Sequence, residues 1–308
     1  MNMQRKMKNH IAGVAVGAAI GDALGMPLEF GPARPVDRLV CEMLPGRIPA
    51  GSFTDDTEMA LALAESLLAH RPLDPDDLAQ RFVVWIESHP PDVGIHTASV
   101  LRRIANGEPW QAAVAAVQAH NPASAGNGSV MRCWPVALAW WDDLERLLED
   151  SVLQSRVTHP HPECNAGCAF VNAAIYHMLH GFTPADAVMR ALNDADVPAP
   201  LRTVIESAPD KDRRDLPSSG WVRHTLESAV WGLLTTHTFE DAVVNVVNLG
   251  NDADTAGAVV GALAGAAYGL DAIPQRWQTA LHGEFPLRSG HLWRVADLVT
   301  LAAQLASR

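Results

Sequence analysis

The chain has 308 residues, 48% hydrophobic and 19% charged, which excludes general disorder and supplies enough apolar material for a sizeable core. Its formal charge of -12 comes with no Lys/Arg cluster, which excludes a groove built for nucleic-acid backbone and leaves small anions and hard cations as ligands. Four scattered cysteines, Cys41, Cys133, Cys164 and Cys168, make no disulfide framework and fit reduced thiols, so a cytoplasmic location is expected.

The chain opens on a basic Met1–His10 and an apolar Ile11–Ile20, the outline of a secretory leader. The apolar run is Gly/Ala-rich without a leucine core, and Asp22 and Glu29 follow at once, so it reads as a helix of the folded protein. No membrane span is expected. Gly13, Gly17, Gly21 and Gly25 recur every four residues and share one helical face, where another backbone can approach closely. A long Pro/Gly-punctuated connection, Gly31–Pro49, comes next.

Ser52-Phe53-Thr54-Asp55-Asp56-Thr57-Glu58 stands directly before a helical face formed by Met59, Leu63 and Leu67. A helix start accounts for one acid through capping and the dipole, but not for three, so cap and site both stay open. The pair Asp55-Asp56 does not fit a prenyl-diphosphate site, because the third Asp of that pattern falls on Met59. Helical spacing continues through Pro75–Ser88, Thr97–Ala105 and Trp110–Ala119.

Gly126-Asn127-Gly128-Ser129-Val130-Met131-Arg132 is a loop whose glycines let backbone amides point at an anion, with Asn127, Ser129 and Arg132 as donors suited to phosphate or ribose. The run from His159 to Cys168 matches no strong zinc spacing, and buried cysteines are the expectation. Helical patterns resume at Asn165–Leu179, Pro184–Leu192, Val222–Leu234 and Phe239–Leu249, with a charged loop at Glu206–Gly220.

A second acidic cluster, Gly250-Asn251-Asp252-Ala253-Asp254-Thr255, opens a helix to Tyr268 that carries Gly257, Gly261 and Gly265 on one face. Asp-x-Asp converges two carboxylates, which repel unless a cation neutralises them. Oxygen donors without convergent His or Cys suit Mg²⁺ or Mn²⁺, and four acids in two clusters could hold a pair of ions. The pattern as a whole is all-α, without internal repeats or alternating β-branched hairpins, and is read as one domain over 1–308.

These motifs, with Gly21-Asp22-Ala23-Leu24-Gly25, Asp92-Val93-Gly94 and Thr158-His159, resemble the ADP-ribosylglycohydrolase family in the family's own order over nearly the whole chain. The resemblance implies a compact orthogonal helical bundle with a binuclear divalent centre at one end of an ADP-ribose cleft. By position, Thr54, Asp55, Asp56, Asp252, Asp254 and Thr255 would be metal ligands. Glu29 would be a ligand or an acid/base, and Asp92 a catalytic acid. Asn127, Gly128, Ser129, Met131, Arg132 and His159 would line the cleft, and Trp221, where relatives often carry Tyr, could stack on a base or ribose. The implied reaction is hydrolysis of the N-glycosidic bond between ADP-ribose and a modified side chain of a protein, arginine first. O-linked or small-molecule conjugates, a di-metal phosphohydrolase and a non-catalytic ADP-ribose binder are the alternatives, and a monomer is expected.

Two departures from the family pattern stand out. Ile95-His96-Thr97 replaces the threonines and arginines usual after Asp92-Val93-Gly94. Asn251 replaces a glycine, a change that a left-handed turn tolerates.

Overall fold

The computed structural model describes residues 3–307, so the first two residues and the last of the expected single domain lie outside what it describes. It contains fifteen α-helices among the described residues. The N-terminal half holds α1 (Met3–Gly25), α2 (Asp55–Ala69), α3 (Pro75–Glu87), α4 (Ile95–Ala105), α5 (Trp110–His120), α6 (Trp134–Ala139) and α7 (Leu144–Arg156). The rest comprises α8 (Pro162–Leu179), α9 (Pro184–Asp194), α10 (Ala199–Ser207), α11 (Val222–Thr235), α12 (Phe239–Val247), α13 (Ala253–Tyr268), α14 (Gln275–Ala280) and α15 (Val295–Leu305). A continuous buried core runs through these helices from Ile11 to Leu305.

Nine of these helices fall where the apolar spacing places them. Helices α6 and α14, of six residues each, are too short to show a period. The expected loop at Glu206–Gly220 begins inside the last turn of α10, and the end of the chain adds a small hairpin, Gly283–Glu284 against Leu292–Trp293. The hairpin escapes a pattern search because two paired residues per strand carry no alternation.

Helices α1 and α13 run antiparallel in contact along their glycine faces. Gly13 meets Gly265, Gly17 meets Gly261, Gly21 meets Gly257 and Gly25 meets Ala253, and in each case an added methyl would lie within 3.0 Å of the opposite backbone. Among the described residues one helical stretch, Gln4–Leu28, is long and apolar enough to cross a membrane, and 94% of its apolar window is buried inside the protein. Its apolarity therefore serves the core.

The contact brings the C-terminal end of α1 to the N-terminal end of α13. The loops beyond are locked by reciprocal bonds, from Phe30 N to Asn251 O at 2.7 Å and from Asn251 N to Gly31 O at 2.8 Å. Asn251 takes φ +53°, as expected of an Asn in that turn, and the bulkier Phe30 is held at φ +60°. Replacing Gly21 by Ala drives a Cβ into the Gly257 carbonyl, a backbone group that cannot step aside. Urea unfolding of Gly21→Ala is expected to show a loss of about 3 kcal/mol, the upper range of core overpacking.

Candidate active site

Asp22, in the last turn of α1, is fully buried and reaches across to the start of α2. It accepts from the backbone amides of Thr54 and Thr57 and from both hydroxyls, at 2.6 to 3.2 Å. The cap of α2 thus comes from another helix. Asp55, Asp56 and Glu58 have no capping bond to make, and Asp252 at the head of α13 likewise makes none. The acids of both clusters are left free for other work.

They converge on one cleft of about 600 Å³, lined by Asp55, Asp56, Asp252, Asp254 and Thr255, with Glu29 and Asp92 on one side. Asn127, Gly128, Met131, His96 and His159 complete the lining, together with the exposed Phe30 and Ile95. The Asn127 amide reaches the acids, donating to Asp252 at 2.7 Å, and is tied to Thr225 at 2.8 Å. Burial, reinforced by mutual repulsion, pushes Asp55, Asp56 and Asp254 well above the ordinary carboxylate range. Asp22 rises to about 6 by burial, held down by the four groups it caps.

Four residues expected at the site stand elsewhere. The Thr54 side chain lies behind the wall, donating to Asp22 at 2.8 Å and lying 3.2 Å from Asp56, because it belongs to the cap of α2. Ser129 is fully buried and accepts from Ser155 at 2.9 Å. Arg132 is also fully buried, with no acidic partner, and its guanidinium donates to Gln154, Thr158 and the Gly128 carbonyl while lying over the Phe82 ring at 4.4 Å. Burial lowers it to about 10, so it stays charged and braces the loop from the rear. Trp221, half exposed, borders a shallower neighbouring hollow that shares Gly126 and Gly220 with the cleft, and the Arg223 guanidinium covers it at 4.6 Å.

The two cysteines near His159 are buried, Cys164 donating to the Gly126 carbonyl and Cys168 to Ser129, which leaves no zinc-like arrangement there. His159 is buried against His96, ring centroids 4.7 Å apart, and burial pushes both imidazoles toward the neutral form. His96 belongs to the departure noted after Asp92, so this part of the wall is uncharged.

Sequence reasoning passes over Arg47 and gives Glu58, a member of the first acidic cluster, no role of its own. Arg47, in the long connection after α1, makes ion pairs with Glu29, Asp92 and Asp254. A single Arg in a loop belongs to no motif, and only its position after a run of uncharged residues, Met43–Gly46, sets it apart. Glu58 lies behind the cluster and accepts from the Trp85 indole at 2.7 Å.

The site's chemistry suits a divalent cation. Oxygens of Glu29, Asp92 and Asp254 lie within 4.8 Å of one another, the charged groups that act most strongly on Asp55 and Asp56 are carboxylates, and the buried Oδ1 of Asp56 has no hydrogen-bond partner. A deep acidic cleft at the meeting point of helix ends, with a glycine loop and neutral donors in its lining, is suited to hold divalent cations.

The sequence model described as ADP-ribosylglycohydrolase matches residues 3–308. An ADP-ribosylarginine hydrolase of Serratia proteamaculans is 35% identical over 86% of this chain and 73% of its own length. The ADP-ribosyl-dinitrogen reductase glycohydrolase of Rhodospirillum rubrum is 34% identical over 87% of this chain and 89% of its own. A solved structure of an ADP-ribosylglycohydrolase-related protein complex superposes with a TM-score of 0.82 at 35% identity, covering 98% of this chain and 99% of that one. The chain belongs to the ADP-ribosylglycohydrolase family.

Burial, helped by repulsion from Asp22 and Asp92, raises Glu58 from 4.5 to about 7 against the pull of the Trp85 indole. Between those values the folded chain holds a proton that the unfolded chain has lost, so this contribution is present below the lower value and disappears as pH rises through the upper one. Glu58→Gln mimics the protonated form and should stabilise the metal-free protein at pH 8 by roughly 2–3 kcal/mol. Thermal unfolding at pH 8 and pH 4 checks this, the gain vanishing at the lower pH.

Proposed function

We propose that this protein removes ADP-ribose from a modified arginine side chain, reversing mono-ADP-ribosylation with the help of two Mg²⁺ or Mn²⁺ ions. The observation that carries the reading is the convergence of Asp55, Asp56, Asp252 and Asp254 on one cleft that also holds Glu29 and Asp92. The ADP-ribosylarginine hydrolase activity named for one relative supports the arginine linkage, and the glycohydrolase activity on ADP-ribosyl-dinitrogen reductase named for the other supports a modified protein as substrate.

The reaction adds water across the bond between the anomeric carbon and the guanidinium nitrogen. Hydroxide ends on carbon and the proton on nitrogen, through an oxocarbenium-like state. Asp55, Asp56, Asp252, Asp254 and Thr255 would hold the ions, whose Lewis acidity grips ribose hydroxyls and lowers the pKa of a bound water. Asp92, with 26% of its side chain exposed against 9% for Glu29, sits nearer the mouth and is assigned to the leaving guanidinium. Glu29 is assigned to the water, a role that its deeper position supports. Asn127, Gly128 and the neutral histidines receive the rest of ADP-ribose as uncharged donors, and the Met131 side chain adds an apolar surface.

All four cysteines are unpaired, which supports a cytoplasmic setting. The proposed working unit is a monomer.

Release of free ADP-ribose from an arginine-ADP-ribosylated protein should require Mn²⁺ or Mg²⁺ and stop on chelation. Asp92→Asn and Asp252→Ala should each lower kcat about 100-fold or more, the range for loss of an acid/base or a metal ligand. Full activity in Asp252→Ala would sink the metal assignment, and release from serine but not arginine conjugates would move the linkage.

A further inference from the structure

Arg47 stands among the carboxylates proposed to work on substrate and metal. It lies on the connection between α1 and α2, whose backbone is anchored away from the cleft by Arg34 N to Asn248 O at 2.9 Å and Val40 N to the Asn248 side chain at 2.8 Å. From there the side chain, 27% exposed, crosses to the acids. One terminal nitrogen meets Glu29, while the other meets Asp92 and lies 3.2 Å from Asp254. These are the same three carboxylates whose oxygens come within 4.8 Å of one another. Beside them the buried Asp56 Oδ1 lacks any hydrogen-bond partner, and Glu29 Oε2 meets the guanidinium as an ion pair without a hydrogen bond, so the guanidinium satisfies only part of the acidic centre.

A guanidinium is planar, always charged and too large to share this space with a cation that needs short contacts to several oxygens. Its charge of one also compensates fewer carboxylates than a divalent ion would. We propose that Arg47 is a positioning residue that competes with the metal: it holds Glu29, Asp92 and Asp254 together in the metal-free protein and must leave Asp254 and Glu29 when an ion binds. Arg47 thereby sets the metal affinity of the site, keeping it weaker than the carboxylates alone would make it, and limits their mutual repulsion while the site awaits its ion. The inference rests on the reading of this centre as a divalent-cation site.

The test is calorimetric titration of Mn²⁺ into chelator-treated full-length protein, comparing wild type with Arg47→Met and Arg47→Lys. Arg47→Met should bind Mn²⁺ roughly tenfold more tightly, as expected when an ion pair no longer has to be broken, and its metal-free form should melt at lower temperature while its metal-loaded form matches wild type. Arg47→Lys, which keeps a charge but loses the fork, should fall between the two. Unchanged or weaker Mn²⁺ binding in Arg47→Met overturns the proposal. Absence of Mn²⁺ binding in wild type and variant alike would instead defeat the metal reading itself.

A second measurement covers the case in which the metal-free variant does not fold. In wild type, modification of Arg47 by phenylglyoxal, followed by peptide mass spectrometry, should be faster with Mn²⁺ than with chelator. Equal or slower modification with Mn²⁺ counts against displacement.

Discussion

Everything at the cleft depends on the close contact between α1 and α13. Two helices faced with glycine approach until backbone meets backbone, and that closeness fixes their relative register as well as their distance. Because they run antiparallel, the end of α1 and the beginning of α13 arrive at one place. Glu29, just beyond α1, and Asp252 and Asp254, at the head of α13, are delivered together although more than two hundred residues separate them in sequence. Asp22 extends the arrangement to a third helix by capping α2, which sets Asp55 and Asp56 beside the others. A slip of α1 along α13 by one helical turn would carry Asp22 away from Thr54 and Thr57 and Glu29 away from Asp254.

The same contact creates an electrostatic cost. Carboxylates gathered out of water raise one another's affinity for protons, which is the direction seen at Asp55, Asp56 and Asp254. Part of the compensation is built in. The N-terminal ends of α2 and α13 point their positive dipole ends at the cluster, and Arg47 adds a full charge. The scaffold beneath is correspondingly firm: two glycine-faced helices, an inter-helix cap and a core without a seam carry the strain that the site imposes. Stability is given up locally at the cleft for a constellation that a cation can complete.

How much of this could be read from the sequence follows from the range over which each signal acts. Glycine every four residues and two acid clusters before helices are local patterns, and the structure brings their carboxylates together as the spacing suggested. Which side of a wall a residue faces is not local. Ser129 and Arg132 follow Gly-Asn-Gly as donors do in an anion loop, yet the chain turns them inward, where Gln154 and Ser155 of α7 receive them. Thr54 resembled a metal ligand or a cap, and what decides its side chain is Asp22, thirty-two positions earlier. Arg47 carried no pattern at all, since its meaning comes only from the three acids that folding puts around it. The resemblance offers Trp221 as a stacking residue, and its half-exposed place on the neighbouring hollow depends on the bridge between Gly126 and Trp221 that no short window contains.

The distribution of charge within the cleft also bears on how it can hold ADP-ribose. The lining carries six carboxylates; its other polar groups include Asn127, glycine amides and two histidines that burial pushes toward the neutral form, with Arg132 buried behind the loop. A diphosphate brought within about 6 Å of an ionised carboxylate meets roughly 3 kcal/mol of repulsion per charge pair at an effective dielectric near 20, and several such pairs would exceed what a set of neutral hydrogen bonds returns. The acids therefore have to be protonated, paired with Arg47 or neutralised by metal before the nucleotide can settle. Protonation would disable the carboxylates proposed to handle the water and the leaving group. Arg47 can satisfy at most the three acids within its reach, leaving Asp55, Asp56 and Asp252 unanswered. Of the three, only divalent cations remove the repulsion without protonating the acids, so binding of the nucleotide and, under the proposed mechanism, activation of the water call for the same ions.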